Sequence, residues 1–362
     1  MKTVMEVKDL LLLQDRDPLL NIPHFRLQAG EVLGIMGPSG SGKSILIKTL
    51  GLLHPPTQGS IILFGETVNY RPAQLLPLRR RLALVFQEPL LFDATVWDNV
   101  ALGLKLRKTP KSLIRDKVEE YLTLLGIGSL AQRHPQSLST LETCRVNLAQ
   151  GLVLEPDILL LDDPLAPLDQ ASRLKLLEEL AEIIHQKHLT TIYATSDYSE
   201  LFLMAHRAML LYRGSVIQEG TVGEVMDSPR SAQAASLVGV DNIIPGYVGT
   251  VSEDEVEFRP LGTELRLYGT PRDSGLDEAY ALIRSEEIEL DVFPGPQWNA
   301  VGGTVTRVHP QGTQTKIHLD CGFPLVVTLP NRKFYFKRYQ PGQEVTAVFD
   351  PARTLIVRKT PK

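Results

Sequence analysis

Cysteine and excess charge are scarce in this sequence of 362 residues. The two cysteines, Cys144 and Cys321, lie far apart, which argues against a disulfide framework or a cysteine-based metal cluster and fits a reducing compartment. The net charge of -4 gives no reason to expect nucleic acid or an anionic membrane surface as the main partner.

Long hydrophobic runs are also missing. No stretch approaches the ~20 apolar residues that a membrane-spanning helix needs. The Leu10–Leu13 cluster is shorter than the core of a signal peptide, and no small-residue cleavage site follows it. If this protein works at a membrane, we therefore expect another chain to span it. A hydrophobic fraction of 43% and a charged fraction of 22% are those of a soluble globular protein. The length predicts two domains, or one large domain and a smaller one.

A glycine-rich loop is the strongest local signal. It follows a short apolar run, Val32–Met36, that predicts a buried strand, and it precedes Ile45–Leu53, which predicts a helix. In that context a G-x-x-x-x-G-K-[ST] motif predicts a nucleotide phosphate site, because backbone N–H groups and the helix N-terminus point at the phosphates. Lys43 would reach the β- and γ-phosphates, and the Ser44 hydroxyl would reach Mg²⁺. The loop reads Gly37-Pro38-Ser39-Gly40-Ser41-Gly42-Lys43-Ser44.

The rest of the first two thirds alternates strands and helices. Residues 1–36 favour strands, and residues 96–154 favour helices. This alternation predicts a mostly parallel sheet covered by helices. Further strands are predicted at residues 59–65, 82–86, 158–162 and 190–195, with a helix at 172–188.

The texture of the sequence changes near Asp241. From Ile243 onward, short β-type runs alternate with glycine and proline, which predicts a small barrel or sandwich. We expect the domain boundary within Ser228–Asn242. The predicted strands are residues 247–251, 256–258, 264–268, 304–308, 315–319, 325–329, 345–349 and 354–357.

The order of the motifs resembles the ATP-binding subunits of ABC transporters. The phosphate loop is followed by Gln87 after a strand, by Leu138-Ser139 before a helix, by Asp162-Asp163-Pro164 after an apolar strand, and by Leu168-Asp169. The resemblance implies a P-loop α/β nucleotide-binding domain at residues 1–235, with a RecA-like core and antiparallel β and helical subdomains. Residues 242–362 resemble a TOBE or MOP-type, OB-like β domain. Short motifs within 305–327 and 341–345 resemble the molybdate and tungstate importer branch.

This resemblance implies ATP and Mg²⁺ as cofactors. The loop Gly37–Ser44 would bind ATP, and Asp162 and Gln87 would join Ser44 around Mg²⁺. A carboxylate at the end of a parallel strand points into the ligand crevice. Gln87 would also touch the attacking water. Ser139 would face the nucleotide of a second subunit, and Asp169 would lie at the seam between the two.

Four departures from the family pattern predict weakened hydrolysis. Asp163 stands where a glutamate normally acts as general base, and a displacement of about 1 Å can cost roughly 100-fold in rate. Ser196 stands where the switch histidine is expected, and His206 lies too far along the chain to replace it. The signature Leu-Ser-Gly-Gly-Gln reads Leu138-Ser139-Thr140-Leu141-Glu142, and no aromatic residue before Phe25 can stack on adenine.

Two functions follow as hypotheses. The first is the ATP-hydrolysing subunit of an importer, peripheral on the cytoplasmic face of the inner membrane, with Asp163, Gln87 and Ser196 as candidate catalytic residues. Its partners would be membrane permease subunits, a second nucleotide-binding subunit of the same or another chain, and indirectly a periplasmic solute-binding protein. The carried solute would be a small oxyanion such as molybdate. The second is a regulatory, nucleotide-sensing subunit with little turnover.

Two segments leave alternatives open. Arg332–Tyr339 interleaves basic and aromatic residues, which in an OB-like barrel can indicate nucleic acid. We instead expect an amphipathic strand or turn with a solvated basic edge, and no nucleic-acid partner. Trp97–Leu106 lies where the resemblance places the contact with the membrane subunit, and core packing of Trp97 is the competing interpretation.

Overall fold

The computed structural model describes residues 2–251, 255–273, 275, 277–295 and 298–359. The chain forms two compact units, Met1–Val225 and Met226–Lys362. Among the described residues, no helix is long and apolar enough to cross a membrane.

One sheet of ten strands organises the first unit. Its order is β5-β4-β1-β2-β10-β9-β3-β8-β7-β6. The strands are β1 Thr3–Gln14, β2 Asp17–Gln28, β3 Val32–Met36, β4 Gln58–Leu63, β5 Glu66–Thr67, β6 Leu82–Val85, β7 Ile158–Asp162, β8 Thr190–Thr195, β9 Arg207–Tyr212 and β10 Ser215–Thr221.

The centre of this sheet is parallel. Strand β8 pairs in parallel with β3 on one side and with β7 on the other, and β6 pairs in parallel with β7. The four strands therefore end at the same edge of the sheet, where a ligand crevice is expected. At the other side of the sheet, β1 pairs antiparallel with β2 and β4. The predicted parallel core with an antiparallel β part is confirmed.

Helices cover both faces of the sheet, and three of them, α3 to α5, fill the region predicted to be helical. The helices of the chain are α1 Lys43–Leu50, α2 Pro72–Arg79, α3 Val96–Leu106, α4 Lys111–Leu124, α5 Thr140–Leu152, α6 Gln170–Gln186, α7 Tyr198–Met204, α8 Val222–Asp227, α9 Ala232–Leu237 and α10 Asn331–Phe336. Short 3-10 turns lie at Gly128–Leu130, Pro135–Ser137, Ser285–Glu287 and Pro351–Arg353.

Strand β7 shows how the sequence places the two cores. Leu159 and Leu161 pack into the cluster that also holds residues of α3 to α6. Ile158 and Leu160 point to the opposite face and pack with residues of β1 and α1. Because successive side chains of a strand alternate between faces, an unbroken apolar run is needed where both faces are covered.

The second unit is mostly β, as predicted. Five strands close a barrel in the order β11-β12-β13-β20-β14, and five others form a sheet in the order β15-β19-β16-β17-β18. Their bounds are β11 Asn242–Val251, β12 Val256–Pro260, β13 Leu267–Pro271, β14 Glu278–Ile283, β15 Glu289–Leu290, β16 Asn299–Gln311, β17 Gln314–Asp320, β18 Pro324–Pro330, β19 Glu344–Phe349 and β20 Leu355–Arg358.

Two predictions about this unit were wrong in detail, and two strands were not predicted. The strand predicted at 264–268 begins at Leu267, and the strands not predicted are β14 and β15. Residues of Arg332–Tyr339 form α10 and a coil rather than a strand or turn. Its start follows Pro330, whose fixed φ suits a helix N-terminus. The domain boundary predicted within Ser228–Asn242 stays a prediction, since compact units and functional domains need not coincide.

Candidate nucleotide-binding site

The phosphate loop connects the end of β3 to the start of α1, as predicted. Gly40 and Gly42 have φ angles of 78° and 104°, in the left-handed region that favours glycine. A Cβ at Gly37 would lie 2.2 Å from the Leu211 carbonyl oxygen and 2.5 Å from Ser41 Oγ. The Ser41 hydroxyl is itself buried without a hydrogen-bond partner among the described residues. The loop therefore requires its glycines and holds a polar group still lacking a partner, as expected of a phosphate cradle.

Lys43 lies inside this loop. Its ammonium donates hydrogen bonds to the carbonyl oxygens of Gly37 at 2.6 Å and Pro38 at 3.1 Å, and to Ser196 Oγ at 3.0 Å. Burial lowers the pKa of Lys43, while the carboxylates of Asp163 and Asp162 oppose that change. A buried ammonium with these neighbours suits a group that binds phosphate.

Ser44 and Asp162 meet on the other side of the loop. The Ser44 hydroxyl donates to Asp162 Oδ1 at 2.9 Å, and Asp162 is only 3% exposed at the end of β7. Burial raises the pKa of Asp162, and the hydrogen bond from Ser44 opposes it. Hydroxyl and carboxylate oxygens are the hard donors that Mg²⁺ prefers when nucleotide oxygens supply further ligands. The predicted donor pair therefore fits a nucleotide-bound Mg²⁺.

Asp163 follows Asp162 in an unusual backbone conformation. Its φ of 45° is left-handed, a region that aspartate and asparagine enter more readily than most residues. Its Oδ1 is buried and has no hydrogen-bond partner among the described residues. Burial, followed by the charge of Glu200, raises the pKa of Asp163 to about 6, against the effects of Arg173 and Lys43. A carboxylate in this state can accept a proton near neutral pH.

Ser196 comes directly after β8 and reaches the same place. The hydrogen bond from Lys43 brings its hydroxyl to the phosphate loop, whereas His206 lies at the opposite end of β3, where its Nδ1 accepts from the Val32 N–H at 3.0 Å. The structure thus brings together Lys43, Ser44, Asp162, Asp163 and Ser196, and it leaves His206 outside the site.

Gln87 lies at the same edge of the sheet but takes no part in this cluster. Val85, the last residue of β6, is opposite Leu161 of β7, so Gln87 follows at the edge where Asp162 lies. The Gln87 side chain is exposed and makes no hydrogen bond to the described residues. Its role as a ligand of Mg²⁺ or of the attacking water stays a prediction.

Ser139 lies apart from the phosphate loop, at the N-cap of α5. Its N–H and hydroxyl donate to Glu142 Oε2 at 2.7 Å and 2.9 Å, and the Glu142 N–H donates back to Ser139 Oγ at 3.3 Å. The hydrogen bond from the Ser139 N–H has the largest effect on Glu142, and with the bond from the Ser139 hydroxyl it lowers the pKa of that carboxylate. The segment 138–142 therefore closes on its own carboxylate in a capping box.

Asp169 caps the next long helix. Its carboxylate accepts hydrogen bonds from the N–H groups of Ala171 and Ser172, both at 3.1 Å. The contacts with Ser172 have the larger effect and, with that of Ala171, lower the pKa of Asp169. In the structure its contacts serve the start of α6. The role at a seam between subunits stays a prediction.

Two charged residues near the site were not predicted. Glu200 in α7 is 3% exposed, and Arg173 in α6 lies 3.6 Å from it. No motif contains either residue. Their burial was not expected either, because a charged residue on a helix usually faces solvent. The only available signal was the short spacing of Glu200 from Ser196, at the end of a buried strand.

Comparisons with known families agree with this geometry. A family model described as ABC transporter matches residues 20–166, and a TOBE domain model matches residues 281–357. Among solved structures, cbiO1 of Clostridium perfringens, part of the ABC transporter complex cbiONQ, is similar with a TM-score of 0.59 and 28% identity. The match covers 67% of this chain and 96% of that one.

Curated relatives carry the resemblance over most of the chain. The spermidine/putrescine import ATP-binding protein PotA of Legionella pneumophila is 32% identical over 79% of this chain and 78% of its own length. The sulfate/thiosulfate import ATP-binding protein CysA of Thermosynechococcus vestitus is 31% identical over 88% of both chains. The molybdate/tungstate import ATP-binding protein WtpC of Pyrococcus horikoshii is 37% identical over 61% of this chain and 64% of its own. With its phosphate loop, carboxylate pair and β domain in the family order, this chain belongs to the ATP-binding subunits of ABC transporters.

Proposed function

We propose that this chain binds Mg²⁺-ATP through residues 37–44 and Asp162 and that it hydrolyses ATP slowly to drive import through separate membrane subunits. The observation that carries this proposal is the convergence of Lys43, Ser44 and Asp162 at the ends of two parallel strands, β3 and β7. ATP with Mg²⁺ supplies the phosphoryl group that is transferred to water. The chain supplies the cradle, the cation and the carboxylates.

Asp163 is the proposed proton acceptor. Its buried Oδ1, free of protein hydrogen bonds within the described part of the chain, is available for a water molecule. Its side chain is one methylene shorter than that of the family's glutamate, so the water must sit closer to the strand end. Ser196 can orient a phosphate oxygen or water, but a hydroxyl cannot carry the charge of a protonated histidine. We therefore infer that turnover is slower than in relatives with the family's glutamate and histidine.

The proposed partners are two membrane subunits and a second nucleotide-binding subunit. Exposed apolar side chains follow Gln87: Leu90 and Phe92 are 60% and 59% exposed. The Phe92 N–H donates to Asn99 Oδ1 at 2.8 Å, and Asn99 Nδ2 donates to the Phe92 carbonyl oxygen at 3.0 Å. These two bonds hold the backbone at Phe92 against α3. Trp97 is partly buried against the core and carries Lys105 above its ring, which favours packing as its main role. We propose that Leu90 and Phe92 contact a membrane subunit at the cytoplasmic face of the inner membrane.

The proposed domains are residues 1–235 for ATP and 242–362 for the β part. A small oxyanion such as molybdate or tungstate is the proposed solute, supplied by a periplasmic binding protein. The similarity to the molybdate/tungstate import protein of Pyrococcus horikoshii supports this choice. Relatives of comparable identity import sulfate or polyamines by their names, so the solute needs a direct test.

One observation favours the second candidate, a regulatory subunit. The carboxylate of Glu142 already occupies the N–H and hydroxyl of Ser139, which the family presents to the nucleotide of the second subunit. A closed pair of these chains would place that negative charge near phosphate and would oppose closure. A subunit built in this way can sense ATP while contributing little turnover.

Steady-state hydrolysis on the purified chain separates the two candidates. We would measure Mg²⁺-ATP binding and turnover for the wild type, for Lys43→Ala, and for the double variant Asp163→Glu with Ser196→His. Turnover that Lys43→Ala abolishes supports the motor. Tight ATP binding by the wild type, with turnover only in the double variant, supports the regulatory subunit. A wild-type chain that does not bind ATP would refute both candidates.

The solute is tested in cells. A deletion of this chain should lower uptake of radiolabelled molybdate or tungstate, and wild-type chain but not Lys43→Ala should restore it. Sulfate and spermidine serve as comparison solutes. If uptake of sulfate or spermidine falls instead, molybdate or tungstate is not the carried solute, while the assignment of the chain to an importer stands.

A further inference from the structure

A buried carboxylate outside the motifs lies behind the site. Glu200 is 3% exposed in the first turn of α7, three residues after Asp197 caps that helix. Burying a carboxylate is unfavourable unless its partners compensate for the loss of water. The proposed chemistry does not use Glu200, so its contacts must explain its burial.

One oxygen of Glu200 is held by β8. Oε2 accepts hydrogen bonds from Tyr193 OH at 2.6 Å and from Thr195 Oγ1 at 2.7 Å. Thr195 Oγ1 in turn accepts from the N–H of Asp197 at 3.0 Å. The backbone on both sides of Ser196 is therefore tied to Glu200 through a single hydroxyl.

The other oxygen faces α6. Oε1 has no hydrogen-bond partner among the described residues, and Arg173 Nη1 lies 3.6 Å away, an ion pair too long for a hydrogen bond. Arg173 uses its remaining N–H groups on the turn that follows Asp163. Its Nε donates to the Leu165 carbonyl at 3.2 Å, and its Nη2 donates to the Ala166 carbonyl at 3.0 Å.

Glu200 is thus connected to the two segments that carry Asp163 and Ser196. Toward β7 the connection runs through Arg173 to the turn after Asp163, and toward β8 it runs through Thr195 to the backbone around Ser196. A planar guanidinium that holds two carbonyls at once fixes the direction of a turn better than a single contact does. Asp163 needs such support, because its left-handed φ of 45° is not the preferred backbone state of most residues.

We propose that Glu200 is a positioning residue that sets Asp163 and Ser196 against the phosphate loop through Arg173 and Thr195. This proposal rests on the proposed ATP hydrolysis. It goes beyond it by naming one residue outside the motifs on which the geometry of both candidate groups depends.

Glu200→Gln tests the proposal with the smallest change. The amide oxygen can still accept from Tyr193 and Thr195, but as a neutral acceptor it holds them more weakly than the carboxylate does, and the charge that holds Arg173 is lost. Arg173→Lys is the second variant, since it keeps a positive charge and loses the planar fork on Leu165 and Ala166. Glu178→Gln, an exposed glutamate of α6, is the matched control.

Two readouts are needed. In steady-state hydrolysis we expect Glu200→Gln to lower kcat by about tenfold or more while KM for Mg²⁺-ATP stays within about twofold, since misplaced groups affect the reaction more than binding. In amide hydrogen exchange without nucleotide we expect about threefold faster exchange in residues 164–168, at the amides of Leu165, Ala166 and Leu168, and at Asp197 for Glu200→Gln. Arg173→Lys should accelerate exchange in 164–168 alone and should also lower kcat.

The outcomes are distinguishable. If Glu200→Gln matches Glu178→Gln in kcat and in exchange at both segments, Glu200 does not position them. If exchange rises throughout α6 and α7 and ATP binding falls with kcat, its role is general stability and the proposal is also wrong. A wild type without turnover would refute the proposed hydrolysis, and exchange at the two segments would still decide the role of Glu200. Should Glu200→Gln fail to fold, Arg173→Lys decides the connection to the turn.

Discussion

Replacing Asp163 by asparagine should stabilise the nucleotide-free protein at neutral pH. Burial raises the pKa of Asp163 from the ordinary 3.8 to about 6, so the folded protein holds a proton on this group at a pH where the unfolded chain has lost it. Asparagine is nearly the same size, tolerates a φ of 45°, and carries no charge to bury.

The sign and size follow from linkage. Because the folded-state pKa is the higher one, the wild type loses stability as the pH rises from about 4 through about 6, and the loss is complete above that range. A tenfold change in proton affinity corresponds to about 1.4 kcal/mol, so the full effect is about 3 kcal/mol at most. The half-buried side chain keeps some access to water, which reduces the observed value.

Urea unfolding between pH 4.5 and pH 8, in EDTA and without nucleotide, measures this difference. The chain has two compact units and two tryptophans, so a Trp298→Phe background leaves Trp97 as the fluorescent probe of the first unit. Asp163→Asn should exceed the wild type by about 1–3 kcal/mol at pH 8, and the difference should fall to about a third of that value at pH 4.5. Asp116→Asn, whose carboxylate is 68% exposed, should stay within about 0.5 kcal/mol of the wild type throughout.

A stability difference that does not change with pH would refute the reasoning. So would an Asp163→Asn variant less stable than the wild type at pH 8. Either result would mean that Lys43 and Arg173 hold the ionised carboxylate firmly enough to offset its burial. The candidate base would then be ionised well below pH 6, and its protonation could not limit activity near neutral pH.

Three further predictions concern the loop, the signature and the surface. Gly37→Ala would place a Cβ 2.2 Å from a backbone carbonyl oxygen, so we expect at least about tenfold weaker ATP binding by calorimetry, whereas Gly128→Ala, with open space around it, should bind normally. Glu142→Gln should weaken the self-capping at Ser139 and remove a negative charge, and we expect severalfold faster hydrolysis and tighter ATP-dependent dimerisation by light scattering. Phe92→Ser should leave hydrolysis by the isolated chain within about twofold but reduce its co-purification with membrane subunits, unlike Leu174→Ser at an exposed position of α6.

Each of these can fail separately. Equal ATP binding by the two glycine variants would mean that the loop relaxes around a methyl group. Unchanged dimerisation in Glu142→Gln would mean that the capping box does not oppose closure. Equal loss of co-purification in the two serine variants would remove the argument for a contact surface at Phe92.

The sequence by itself determined the order of strands and helices around the phosphate loop, the β character of the second unit and the family. These follow from short-range patterns: glycines that permit left-handed backbone, apolar runs in strands buried on both faces, and strand ends that carry carboxylates. Asp162 beside Ser44 was predictable because parallel strands end at one edge of a sheet.

Only the tertiary structure decided the state of the charged groups. The contact of Lys43 with Ser196 joins residues 153 positions apart, and Glu200 meets Arg173 across two helices. Burial of a charge depends on everything that packs around it, and no local pattern encodes that. For the same reason the raised pKa of Asp163 arises first from burial and then from Glu200, a residue that no motif marks.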